Sequence, residues 1–95
     1  LSMEDIPIVS VNVNYYSEDR DVYAVEYSDE KEINEIKKVL IPSNLIPSWE
    51  DVDYSVEISY IMEREDSMGY GYIRNRDIPK FMEEDRKAYE DSGKA

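Results

Sequence analysis

The sequence predicts a small α+β domain: a four-stranded antiparallel sheet with two helices on one face, in the order β-β-α-β-β-α. Three observations carry that expectation. Apolar residues alternate at period two over residues 7–16 and again over 54–63, the pattern of strands wetted on one side. Two other stretches place apolar residues at helical spacing, each behind a helix-start signal. Finally, 95 residues at 11.2 kDa leave room for one core, which every apolar face must share.

In residues 7–16, Val9, Val11, Val13 and Tyr15 fall on one face and Ser10, Asn12 and Asn14 on the other. The polar run 17–21 reads as a turn, and Tyr23, Val25 and Tyr27 in residues 22–27 set the inner face of a hairpin partner. Asp29 is an N-cap candidate with Glu32 three residues on, and acids gather at the positive end of the helix dipole. Ile33, Ile36, Val39 and Leu40 form the buried stripe of that helix, Lys37 and Lys38 suit its C-terminal end, and Pro42 stops it. Residues 42–53 hold two prolines and no steady period. They read as a linker in which Trp49 lies over the core edge like a lid.

The next strand places Tyr54, Val56, Ile58, Tyr60 and Met62 inward and Ser55, Glu57, Ser59 and Glu63 outward. A turn at 64–68 leads to a strand over 69–74, where Gly71 predicts a bulge or a close backbone approach. Pro79 opens the last helix at its first position. Phe81, Met82, Asp85, Ala88 and Tyr89 line its inner side, and Gly93 lies just past its end. Asp85 interrupts that stripe and is expected at the boundary, reaching water. The single domain, 3–95, thus divides into a ββα unit (3–41), a linker (42–53) and a second ββα unit (54–95).

Composition excludes much chemistry. The chain has no cysteine and no histidine, which removes disulfides, thiolate nucleophiles, Cys/His zinc sites and histidine acid–base catalysis. Its three glycines form no phosphate-cradling loop. No apolar run approaches the roughly 20 residues of a membrane span. Twenty-three acids against eleven bases give a net charge of -12, a field that repels phosphates and anionic membranes and favours basic partners.

Residues 22–27 and 69–73 resemble the two aromatic strand motifs of RNA-recognition domains, in a circularly permuted order. The basic residue expected before Gly69 is Met68, the closing aromatic is Asn75, and the charge has the wrong sign, so the expectation is no nucleic-acid partner. Glu83-Glu84-Asp85 reads as a solvated helix face. Residues 18–21 and 50–53 offer oxygen ligands for calcium, yet neither has the spaced acids, turn glycine and closing glutamate of an EF-hand loop. The sequence therefore predicts no catalytic residues, no cofactor and no metal: the protein is not expected to be an enzyme.

The run from Val22 to Ser43, then Trp49, then Tyr54–Tyr60, then Gly71–Asp85 resembles small uncharacterised accessory domains attached to membrane proteins of Gram-positive bacteria, including ABC-transporter permeases. The matched positions include Tyr27, Ile33, Ile36, Trp49 and Phe81. The resemblance implies an extracytoplasmic accessory or sensing module, tethered to a membrane protein, and transfers no catalytic residue. The opening Leu1-Ser2-Met3, with no methionine at its head, agrees with a piece of a larger protein. Two functions follow as expectations. One is a non-catalytic interaction domain that binds a protein or a basic surface through Ser10, Asn12, Asn14, Ser55, Glu57 and Ser59 on the uncovered sheet face. The other is a stand-alone acidic DNA mimic that inhibits a nucleic-acid-binding protein.

Overall fold

The computed structural model describes residues 3–19, 21–64 and 67–92. Strand β1 (Ile8–Tyr16) runs antiparallel between β2 (Val22–Tyr27) and β4 (Val56–Met62). Strand β5 (Met68–Tyr72) pairs with the far side of β4, and a two-residue β3 (Ile41–Pro42) closes that edge, giving the order β2-β1-β4-β5-β3. Helices α1 (Glu30–Val39) and α2 (Lys80–Ser92) complete an α+β domain.

The sheet therefore has five strands rather than four, and the chain order is β-β-α-β-β-β-α. The extra strand has a local cause. Leu40 leaves α1 in an extended conformation, and Pro42 cannot continue a helix. The freed residues lie against β5, with Ile41 opposite Tyr72 and Pro42 opposite Gly71. A proline, lacking an N–H, is tolerated there because β3 is the sheet edge. Gly71 makes the approach possible: a Cβ on it would lie 2.5 Å from the Ile41 carbonyl oxygen. Gly69, two residues earlier and opposite Tyr60, leaves the space its side chain would need to the Tyr60 ring.

The inner face is built from directly opposed pairs, Val11 with Tyr60, Val13 with Ile58 and Tyr15 with Val56. Ile33 and Ile36 of α1 and Met82 of α2 close over them in one buried cluster, so both helices serve the same face. Each fully buried aliphatic side chain contributes roughly 1.5–3 kcal/mol. Asp29 caps α1 as its sequence predicts, accepting the Glu32 N–H at 3.2 Å. At α2, Pro79 stands one residue before the helix, and its carbonyl accepts from the N–H groups of Met82 and Glu83.

Three expectations about facing are corrected. Val9 is half exposed, because the β1–β4 register shifts between Ile8 and Ser10; this bulge turns Ile8, not Val9, toward the core. Tyr54 precedes β4 and is 57% exposed, since the strand begins only at Val56. Of the predicted inner side of α2, Phe81, Met82, Asp85 and Tyr89 face the sheet, but Ala88 is exposed and Arg86, not predicted there, reaches Asp53 at the start of β4. Gly93 lies outside the described residues, as do Arg20 and Glu65–Asp66 in the two predicted turns.

Candidate functional site

Because neighbouring strand residues point to opposite faces, β1 and β4 also present a second face with no helix on it. Asn12 lies opposite Ser59, Asn14 opposite Glu57, and Ser10 opposite Ile61. Strand β5 extends this face with Met68 opposite Ile61 and Tyr70 opposite Ser59. Five of the six residues predicted for the uncovered face thus share it. Ser55 differs: before the first rung of β4, its hydroxyl donates to Asp53 Oδ1 and accepts from Arg86 of α2 at 3.1 Å.

The same face carries aromatic side chains. Trp49 stacks on Tyr54, with ring centroids 6.0 Å apart and planes within 12°, and both meet Tyr72 edge-on at 5.7 and 5.9 Å. The Tyr54 hydroxyl donates to the Trp49 carbonyl at 2.9 Å, fixing the pair. Trp49 is thus no lid over the core. Val52 fills that place, 3% exposed, in a bridge with Arg74, and this anchors the linker so that Trp49 lies over β5 on the outer side.

Beside the aromatic group an open groove of about 750 Å³ is lined by Tyr16, Ser17, Glu18, Tyr54, Ser55 and Glu57, within the size range of small-molecule sites. Glu57, half-buried, accepts from Asn14 Nδ2 at 3.4 Å and from the Tyr16 hydroxyl at 3.3 Å, both on Oε1. Both bonds are longer than ordinary ones. No lysine or arginine among the described residues forms an ion pair with it. Burial and the Glu57 charge push the phenols of Tyr16 and Tyr72 above their ordinary range, so both rings stay neutral beside the carboxylate.

On the covered face the polar groups are matched. Arg86 donates to Asp53 Oδ2 at 2.8 Å and also bonds Glu83. Burial alone would push the Asp53 carboxyl up; hydrogen bonds from Ser55 and Arg86 outweigh it and hold the group below its ordinary value. Asp85 lies half-buried at the boundary, as expected, and there accepts from the Tyr27 hydroxyl at 2.7 Å; Tyr27 shares a 2.6 Å hydrogen bond with Tyr15. Burial pushes the Tyr15 phenol up to about 12.

The polar groups of residues 50–53 serve the fold. In residues 50–53, Val52 is in the core, the Asp51 carbonyl accepts from the Asn75 N–H and Asp53 is held by Arg86; residues 18–21 include Arg20, outside the described residues. Among the described residues no group of three or more acidic side chains could hold a metal ion, and no helix is long and apolar enough to cross a membrane.

Sequence reasoning missed Tyr16, Tyr54 and Tyr72 as parts of this surface. Tyr16 was within reach, since it continues the Asn12–Asn14 side of β1. Tyr54 was not, because the alternation runs two residues past the true start of the strand. Compared with family models, with curated proteins and with solved structures, the chain matches none.

Proposed function

We propose that this chain is a non-catalytic interaction domain, an accessory or sensing module of a larger bacterial membrane protein, whose uncovered sheet face docks a basic protein partner. The observation that carries the reading is the character of that face. It exposes Trp49, Tyr54, Met68 and Tyr70 beside Asn12, Asn14 and Glu57, an apolar and aromatic patch set in hydrogen-bonding and acidic groups. Exposed aromatics and Met are what protein interfaces enrich, and a field of -12 draws a basic partner in. The resemblance to accessory domains of Gram-positive membrane proteins supports an extracytoplasmic setting.

Titration of the isotopically labelled protein with hexalysine, followed by backbone amide shifts, tests this. The expected result is a set of shifts centred on Asn12, Asn14, Glu57, Ser59 and Tyr70. Shifts confined to the acids of α1 and α2 would overturn it and favour the acidic mimic.

A further inference from the structure

We infer that the groove between Tyr16, Tyr54 and Glu57 is a socket for one lysine ammonium of the basic partner. This rests on the docking face proposed above and names its anchor.

The floor of the groove is a carboxylate in want of a donor. Both in-chain donors to Glu57 converge on Oε1, and both bonds are long, so Oε2 accepts from none of the described residues. A partly buried carboxylate gains most from a charged donor, because burial weakens its hydration. Asp53, four residues earlier, shows what such a group has when it is served: an arginine at 2.8 Å. Among the described residues no cation pairs with Glu57, and no lysine or arginine lines the groove.

The walls fit the same ligand. Tyr16 and Tyr54 flank the carboxylate, with Tyr72 and Trp49 packed beside Tyr54. Aromatic faces carry negative potential and attract an ammonium within about 6 Å, while their apolar area receives the methylene stem. Glu18 at the rim adds a second negative charge. The free oxygen selects lysine over arginine. A guanidinium fork makes its strongest contact with two carboxylate oxygens, and here one is already taken from two sides; a compact ammonium needs only Oε2.

The test titrates the labelled protein with Nα-acetyl-lysine methylamide, its arginine counterpart and the neutral norleucine isostere. The lysine derivative is expected to shift the Trp49 indole N–H and the amides of Tyr54 and Glu57 saturably, with norleucine silent and arginine weaker. Glu57→Gln and Tyr54→Leu should each weaken lysine binding by about fivefold or more. Glu26→Gln, an exposed carboxylate on the same sheet face in β2, should change it less than about twofold. Affinity unchanged in both groove variants, or norleucine binding as well as lysine, overturns the socket. Arginine binding as tightly as lysine overturns the choice of lysine. If the socket fails while hexalysine still perturbs the uncovered face, the docking reading survives; if both are silent there, both fall.

Discussion

Asp53 and Glu57 lie four residues apart, both partly buried, yet they are treated in opposite ways. Asp53 stands where the chain enters β4, and α2 supplies it with Arg86 at 2.8 Å and Ser55 with a hydroxyl. Glu57 stands on the other side of the sheet, with two long neutral hydrogen bonds to one oxygen and no cation among the described residues. The difference follows from the architecture. Two helices cover one face and bring partners to it, whereas among the described residues the other face has what its own strands and the 42–53 linker provide. The covered face is closed in structure and chemistry; the uncovered one is closed in neither.

The sharpest way to break this contrast is to place a charge on each face of one strand. Ile58 is fully buried beneath the helices and Ser59, the next residue, faces the other way. Ile58→Asp should unfold the domain, since an unpaired buried carboxylate costs several kcal/mol, on the order of the whole stability of a small domain. Ser59→Asp should cost less than about 1 kcal/mol. Urea midpoints and circular dichroism measure both. Equal loss in the two variants would mean that the faces are not distinct.

A smaller effect separates the two carboxylates themselves. Arg86→Met keeps most of the packing of the side chain but leaves Asp53 without its cation. The expected loss is about 2 kcal/mol, the usual worth of a hydrogen bond to a charged group, reduced from the fully buried case because both side chains retain some contact with water. Glu57→Gln should change stability by less than about 0.5 kcal/mol, because no cation among the described residues loses its partner. Urea titrations of the two variants side by side decide it; a Glu57→Gln loss as large as that of Arg86→Met would place Glu57 among the structural groups and remove the basis for a binding role.

How far this contrast was legible in the sequence depends on whether each feature is local. Strands β1 and β4 and helix α1 follow from periodicity and from the Asp29 cap, which reside in consecutive residues. The uncovered positions Ser10, Asn12, Asn14, Glu57 and Ser59 came from the same alternation, and all lie together. What escaped was decided by partners far along the chain. The Val9 bulge is a property of the pairing with β4, and β3 exists because Gly71 admits the Ile41 carbonyl. The true start of β4 is set where the Asp53 carboxylate accepts the Ser55 N–H and its carbonyl accepts the Val56 N–H, so Tyr54 is released to the outside. The aromatic part of the site depends on that release and on Val52 anchoring the linker, and neither has a period to read.

The finest probe of the comparison is acid. Folding holds the Asp53 carboxyl below its ordinary value of 3.8, so between the folded and unfolded values the unfolded chain binds the extra proton. The contribution of Asp53 is therefore complete above about pH 4 and is lost as pH falls through the folded value. Asp53→Asn lacks that charge at every pH. Its urea midpoint should accordingly fall less than that of the wild type between about pH 5 and about pH 2.5, the two curves converging at the acid end. The variant should still lose stability there, because a net charge of -12 at neutral pH gives way to a positive chain as the other carboxylates protonate. The difference between the curves, rather than either curve, is what isolates Asp53. Parallel curves would mean that Arg86 holds Asp53 no more firmly than water does, and the distinction between a carboxylate served by the fold and one left for a partner would lose its covered half.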